Sequence, residues 1–274
     1  MLPRAFVLTC FAVLPIFLSA CGGGSFGYRG ADPDATSFFS GVGPVTPQQA
    51  AAWAVDPYNA DNRFRGISLL SRAPFGGGPE YVALYRRALA DGDATVRAAA
   101  VRGLAAHGTA GDVAGIVALL QGNTTVQLRW EIARALQRLH DPDHAIDPLL
   151  ELMFEENEEN LDVRINAARA LGQYPQRRVL DALIAALRER DLGVNDAAKQ
   201  SLVDLTGQDF GLDQSEWLAF ADRTDNPFVR QQLYEYPIFW RGRLWYEWLL
   251  IWRRPPNEVA STPIGMPALV PEAE

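Results

Sequence analysis

The sequence predicts an all-α fold: an α-solenoid of about four to five two-helix repeats with a carboxyl-terminal helical cap. Two observations predict it. The segment DATVRAAAVRGLAAHG (93–108) returns as NTTVQLRWEIARALQRLH (123–140) and ENLDVRINAARALGQYP (159–175), with weaker copies at 191–207 and 60–74. Between the copies lie second amphipathic segments: PEYVALYRRALA, GDVAGIVALLQ, DHAIDPLLELMF and QRRVLDALIAALRE. Each period is therefore two helices. One pair cannot bury its own apolar faces, so neighbours must stack.

The elements follow in chain order. Met1-Leu2-Pro3-Arg4 supplies a short basic start, and residues 5–17 run without a charge. With a small-residue exit, that is the layout of a secretory signal over residues 1–20. The apolar run is shorter than the roughly 20 residues of a membrane span, and Pro15 interrupts it. The exit Leu18-Ser19-Ala20-Cys21 resembles the lipobox of bacterial lipoproteins. The resemblance implies a diacylglycerol on the Cys21 thiol, cleavage before it, and an exported protein held on the periplasmic or outer face of a membrane. Acyl chains, at about 0.8 kcal/mol per buried methylene, would anchor the domain that follows. Glycines 22–24 fit this reading by letting the chain leave a surface in any direction. The alternative is an ordinary cleaved signal in which Cys21 is incidental.

Cysteine and charge set further bounds. Cys10 would leave with the signal and Cys21 would carry lipid, so the mature core must hold by packing alone. Losing residues 1–20 removes Arg4 and no acid, taking the formal charge from −8 to −9. That balance argues against general nucleic-acid binding. Lys199 is the only lysine; the other cations are arginines, which favour bidentate and stacked contacts.

Residues 21–45 are rich in glycine, serine and proline and read as a flexible tether. The repeat region spans 46–207. Thr46 can cap its first helix, with Pro47 at the first helical position and Gln49 closing a capping box; Trp53 follows on that helix. The repeat anchors read as Arg65, Arg97, Arg129, Arg164 and Asn195, spaced 32, 32, 35 and 31 residues apart. Leu104, Leu136, Leu171 and Leu202 each stand seven residues after an anchor. This Asp/Asn…Val-Arg…Ala…Ala-Leu pattern resembles HEAT repeats, in particular the short bacterial kind also found in phycobilin lyases. The resemblance covers roughly residues 58–207. It implies that Asp93, Asp162, Arg97, Arg129 and Arg164 tie adjacent repeats together near helix starts.

Chemistry is sparse. His140-Asp141-Pro142-Asp143-His144 places two imidazoles near two carboxylates, but Pro142 breaks the helical geometry a His pair needs. Asp143 reads as a helix cap there, and no metal site is assigned. The glycines at 76–78 lack a following Gly-Lys-Ser/Thr and form no phosphate loop. No hydrolase or metalloprotease motif occurs, so no catalytic residue and no cofactor is expected. The acidic run Glu155–Asp162 coincides with the one long spacing and reads as an enlarged turn. Either it is a solvated loop, or it meets a basic partner or Ca²⁺.

Residues 208–256 are expected to form the aromatic-rich helical cap. Asp213 or Ser215 can start a short helix with Trp217, Leu218 and Phe220 on one side. Between Tyr234 and Trp252, eight of nineteen residues are aromatic. Glu235, Arg241, Arg243 and Glu247 argue against a membrane span. A helix over 243–254 would align Trp245, Trp248, Leu249 and Trp252 on one face. The segment either closes the solenoid or presents Trp240, Trp245, Trp248, Trp252, Arg241, Arg253 and Arg254 to a partner or a bilayer interface. Residues 257–274 are expected to be a disordered tail. The function expected is a lipid-anchored, non-catalytic scaffold or adaptor for an envelope protein or peptide. The alternatives are a lyase-like enzyme and a spacer without a specific ligand.

Overall fold

The computed structural model describes residues 45–122, 124–249 and 257–268. Residues 45–242 and 257–268 belong to one compact unit, and residues 243–249 to another. Cys21, the signal and the tether as far as residue 44 lie outside the described residues, as do Trp252, Arg253 and Arg254.

The larger unit opens with α1, Pro47–Ala54, capped as expected by Thr46, whose Oγ1 accepts from the Gln49 N–H at 3.2 Å. Helix α2 (Ala60–Arg72) crosses α1 at Gly66, where an added Cβ would stand 2.4 Å from the Ala50 carbonyl oxygen. Only glycine allows that approach. Then follow α3 (Pro79–Ala88), α4 (Ala94–His107), α5 (Val113–Val117, flanked by 3-10 turns), α6 (Val126–Ala135), α7 (Pro142–Met153), α8 (Leu161–Leu171), α9 (Arg177–Ala186), α10 (Leu192–Thr206) and α11 (Gln214–Arg223). Helices α2, α4, α6, α8 and α10 pack side by side as one row. In the second row α5 packs on α7, α7 on α9 and α9 on α11. The core between the rows is aliphatic, and alanines let the helices approach closely.

One register runs through the first row. Its helices are preceded by Asn59, Asp93, Thr125, Asn160 and Asp191 at the N-cap. Four residues on stand Arg63, Arg97, Arg129, Arg164 and Asn195, and eleven on stand Leu70, Leu104, Leu136, Leu171 and Leu202. All five leucines are at most 1% exposed. The first anchor is therefore Arg63, two residues before the expected Arg65, and Leu70 is the leucine that Arg65 lacked. The reason is local: the Asn59 side chain accepts from the Asp61 and Asn62 N–H groups and starts the helix there. Arg65 lays its guanidinium over the Trp53 ring, 4.9 Å from the centroid.

Three of these arginines tie their helix to the next. Arg63 holds Asp91 bidentately at 2.6 and 2.8 Å. Arg129 holds Glu158, with Nη2 to Oε1 at 3.0 Å. Arg164 reaches Glu189 at 3.3 Å and Asp191 at 2.5 Å. Asp91 and Glu158 also accept from the N–H of the following cap residue, Asp93 and Asn160. Arg97 donates to the Asp91 and Gly92 carbonyls, and the position two before the Thr125 cap is Asn123, not an acid. The expected ties through Arg97, Asp93 and Asp162 are thus corrected. Asp93 caps its own helix, while Asp162 is exposed in the first turn of α8 behind the Asn160 cap. The acidic run is corrected in part too: Glu158 is buried in a tie, and Glu155, Glu156 and Glu159 are exposed.

At the far end α11, started by Asp213, buries Trp217 edge-on against Phe210 at 4.9 Å, with Phe220 beside them. Leu218 faces outward, contrary to expectation, because it lies a quarter-turn from Trp217. Residues 224–244 carry no helix. The expected cap over 208–256 is therefore helical, among the described residues, only in α11 and in α12 (Trp245–Leu249).

Leu136→Ala should lower unfolding free energy by about 2–5 kcal/mol in denaturant titration, since the leucine is fully buried at mid-stack. Arg129→Ala should cost about 3–5 kcal/mol at neutral pH by leaving the Glu158 carboxylate buried and unpaired. Burial pushes the Glu158 carboxyl up, but the Arg129 hydrogen bond holds it below its ordinary range. In the wild type this group's stabilisation is present above the unfolded pKa and is lost as pH falls through the folded one. Without Arg129 the folded pKa rises above the unfolded value, so the variant's deficit should shrink as the medium is acidified through the carboxylate range. Equal deficits at acidic and neutral pH would contradict this.

Candidate interaction surface

Downstream of α11 the chain returns along the first row as a strap made of residues 224–241 and 257–268. Gly207 ends α10 in the left-handed region, at φ 66°, where a Cβ would meet the Arg230 carbonyl oxygen at 2.4 Å. The Gln232 N–H donates to the Asp204 carbonyl at 2.7 Å, and Tyr236 lies under the Arg138 guanidinium at 4.6 Å. Two stretches of the strap hold each other, through Glu258 N–H to the Phe239 carbonyl at 3.0 Å and a reciprocal pair between Arg241 and Asn257. Ile264 then bridges Leu139: its N–H donates to the Arg138 carbonyl at 2.8 Å, and its carbonyl accepts from His140 at 2.9 Å.

The disordered tail expected from residue 257 is therefore corrected over 257–268. Helix ends leave carbonyls without intrahelical partners. A strap whose prolines, Pro227, Pro237 and Pro263, keep it out of helix can supply the missing N–H groups. Composition alone does not show that such partners exist.

Tyr234 is the strap's apolar anchor, 3% exposed, and its hydroxyl has no hydrogen-bond partner among the described residues. Burial pushes the Tyr234 phenol far up, with the nearby Asp204 carboxylate adding to the shift. Burial likewise raises the Asp204 carboxyl, against the Gln200 amide that donates to it at 3.0 Å.

Of the residues expected to meet a partner, Trp240 is exposed on the strap, and Arg241 is fastened there through its backbone. In the smaller unit Trp245 and Trp248 are exposed one turn apart on α12, and Arg243 covers the Trp248 ring at 5.3 Å. Trp245 meets Tyr246 edge-on at 5.9 Å.

The histidine-rich turn separates its ligands. His140 stacks on Tyr174 at 4.9 Å and donates to Gln173 Oε1 at 3.0 Å, and burial lowers its pKa. His144 donates to Asp141 at 2.8 Å on the exposed side. The cap of α7 is Asp141, with Pro142 at the first helical position, rather than Asp143. A cleft of about 240 Å³ beside α1 and α3 is lined by the paired Arg63 and Asp91, with Asp56, Arg87 and apolar residues. It presents no serine, cysteine or histidine that could act as nucleophile or base.

A second feature was missed from sequence. Nine residues after their caps, α4, α6 and α8 carry Arg102, Arg134 and Arg169 at one equivalent position. Arg102 pairs with the buried Glu131 of α6. Arg134 stacks over Trp130 of its own helix at 4.7 Å, and Arg169 is exposed. The signal that could have found this column was in the sequence: each of these arginines stands five residues after an anchor, Arg97, Arg129 or Arg164.

The family model for HEAT repeats matches residues 113–203 and, in a second alignment, 146–235. No curated protein matches the chain.

Tyr234→Ala should cost about 3–5 kcal/mol in melting or denaturant unfolding. Tyr234→Phe, which removes only an unpartnered hydroxyl, should leave stability unchanged or raise it by about 1 kcal/mol. A loss with Tyr234→Phe as large as with Tyr234→Ala would refute docking by ring burial.

Proposed function

The family model for HEAT repeats covers residues 113–235, and from that premise we propose that the protein is a lipid-anchored scaffold or adaptor of the bacterial cell envelope that binds a protein or peptide without catalysing a reaction. Stacked helix pairs offer long surfaces whose exposed side chains can change without disturbing the core. The observation that carries the reading is the exposure of large aromatics that the stack does not need. Trp240, Trp245 and Trp248 are 70%, 77% and 66% exposed. Tryptophan and arginine dominate the residues that hold interfaces together. Anchoring rests on the lipobox-like Leu18-Ser19-Ala20-Cys21 and the glycines behind it.

Two experiments test the reading. In cell fractionation Cys21→Ser should move the protein from the membrane to the soluble fraction; continued tight association would remove the lipid anchor from the proposal. Crosslinked pull-down from intact cells should recover a discrete partner with the wild type. The triple variant Trp240→Ala, Trp245→Ala and Trp248→Ala should lose it, while melting as the wild type does. These exposed positions are preferable to a deletion of residues 233–256, which would also remove the buried Tyr234. Capture of the same partner by both proteins would exclude the tryptophans, and no discrete partner with either would establish the spacer reading.

A further inference from the structure

We propose that the outward face of α6 and α8 is a docking strip for an extended acidic segment of a partner protein, whose carboxylates are taken by Arg134 and Arg169. The proposal deepens the scaffold reading and rests on it. Its starting point is the pairing of Arg102 with Glu131. Arg102 stands nine residues after the cap of α4, and Glu131 six residues after the cap of α6. That pair shows where a guanidinium at this register finds its anion: on the next helix of the row.

At the following step the same register gives Arg134 and, on α8, Asn166 in place of the acid. One step further it gives Arg169 and, on α10, Ala197. Neither Arg134 nor Arg169 forms an ion pair among the described residues, although twelve such pairs are made elsewhere in them. Two cations thus repeat at one level of adjacent helices without the carboxylate that the first step of the column has. The formal charge of the whole chain is −8. A local cationic strip on such a surface is the complement of a short acidic ligand, not of a long polyanion, which the surrounding acids repel.

Spacing narrows the ligand. Packed helices lie about 8–10 Å apart, so equivalent arginines on α6 and α8 repeat at about that interval. A chain in the polyproline II conformation rises about 3.1 Å per residue with three residues per turn. Carboxylates three residues apart then fall on the same side, about 9 Å apart. A β-strand would turn every third side chain to the opposite face. One turn before the arginines on the same helices, Trp130 and Ile165 are half-buried at the position five residues after their caps. They offer an apolar floor for the proline rings of such a segment. Trp130 already orients the Arg134 guanidinium by stacking beneath it, which limits the freedom the arginine loses on binding.

The test is fluorescence anisotropy with a labelled (Glu-Pro-Ala)n peptide and its (Gln-Pro-Ala)n counterpart, using the chain from Cys21→Ser to keep it in solution. The glutamate peptide should bind saturably and at least about tenfold more tightly than the glutamine peptide. Arg134→Glu with Arg169→Glu should weaken it at least about tenfold. Asn166→Glu should do the same from a different side. It supplies α8 with the acid that Glu131 supplies to α6 and keeps an acceptor for Gln137, which donates to Asn166 Oδ1 at 2.9 Å. All variants should melt near the parent temperature. Equal affinity for the two peptides, or binding indifferent to these substitutions, would overturn the proposal. So would binding to vesicles of phosphatidylglycerol and phosphatidylcholine that is lost in the arginine variant while the peptide fails to bind, since the strip would then meet a lipid surface. If the envelope partner still crosslinks to the Arg134→Glu, Arg169→Glu protein, the strip falls and the scaffold reading stands. If the peptide binds as expected and no partner is captured, the strip stands as a carboxylate-binding surface, and its assignment to a partner protein falls with the scaffold reading.

Discussion

The arginine four residues after each first-row cap and the carboxylate two residues before the next one form the joint on which the stack depends. Apolar packing between helices is non-directional, and alanine-rich faces leave several sliding positions of similar energy. A bidentate guanidinium–carboxylate pair has one good geometry. Asp91 and Glu158 each accept from an arginine of one repeat and from the N–H that opens the next. Helix start, helix-to-helix distance and axial register are thereby set by the same atoms. Buried pairs of this kind add little net free energy, because desolvation offsets most of the attraction. Their contribution here is register, while the leucines seven residues after each anchor supply the hydrophobic driving force.

The joint fails twice, and each failure is answered differently. At the second step the sequence offers Asn123 where an acid would stand, and Arg97 turns back to the carbonyls of its own turn. That interface is reinforced across the middle of the helices by Arg102 and Glu131. At the last step Asn195 replaces the arginine, and its buried Oδ1 finds no partner among the described residues. There the stack is closed by α11 with Trp217, and the strap then runs back over the helix ends. Because a solenoid is stabilised by nearest neighbours only, a segment that bonds the ends of α10 and α6 in one pass couples repeats that do not touch. Its order follows from the helix ends it satisfies.

Much of the stack was legible in the sequence. The repeat period, the buried leucines from Leu104 onward, the Thr46 cap and the opening of helices by Pro47 and Pro79 all depend on near neighbours, which periodicity reports directly. What escaped depends on partners far away in the chain. Arg63 and Arg65 are both two positions from a plausible register, and only the Asn59 cap decides between them. Tail residues 257–268 have the composition of a disordered segment, and they are ordered by carbonyls about 120 residues earlier, at Arg138. Glu158 sits among exposed acids and is buried only because Arg129 meets it. In the candidate surface, the exposed tryptophans on the strap and on α12 were readable as aromatics. The arginine column repeats five residues after the anchors Arg97, Arg129 and Arg164 and was there to be read, but its meaning depends on the acid across the next helix, which only the Arg102–Glu131 pair reveals.

Charge usage connects fold to binding. A chain whose cations are almost all arginines places eight of the twenty arginines among its described residues in ion pairs, several of them between successive helices. A guanidinium without an ion pair at the register where Arg102 meets Glu131 is then a departure from the first step of its own column. In a strongly acidic protein such a departure has a directional consequence: the field it makes is local, because acids around it cancel it within about a Debye length of 8–10 Å. A partner carrying isolated carboxylates at the helix spacing can reach this field, whereas a uniformly charged polymer must also cross the acidic surface. Selectivity of this kind comes from the repeat itself, since the stacking that fixes the interval between Arg134 and Arg169 also fixes the interval at which a ligand must place its acids.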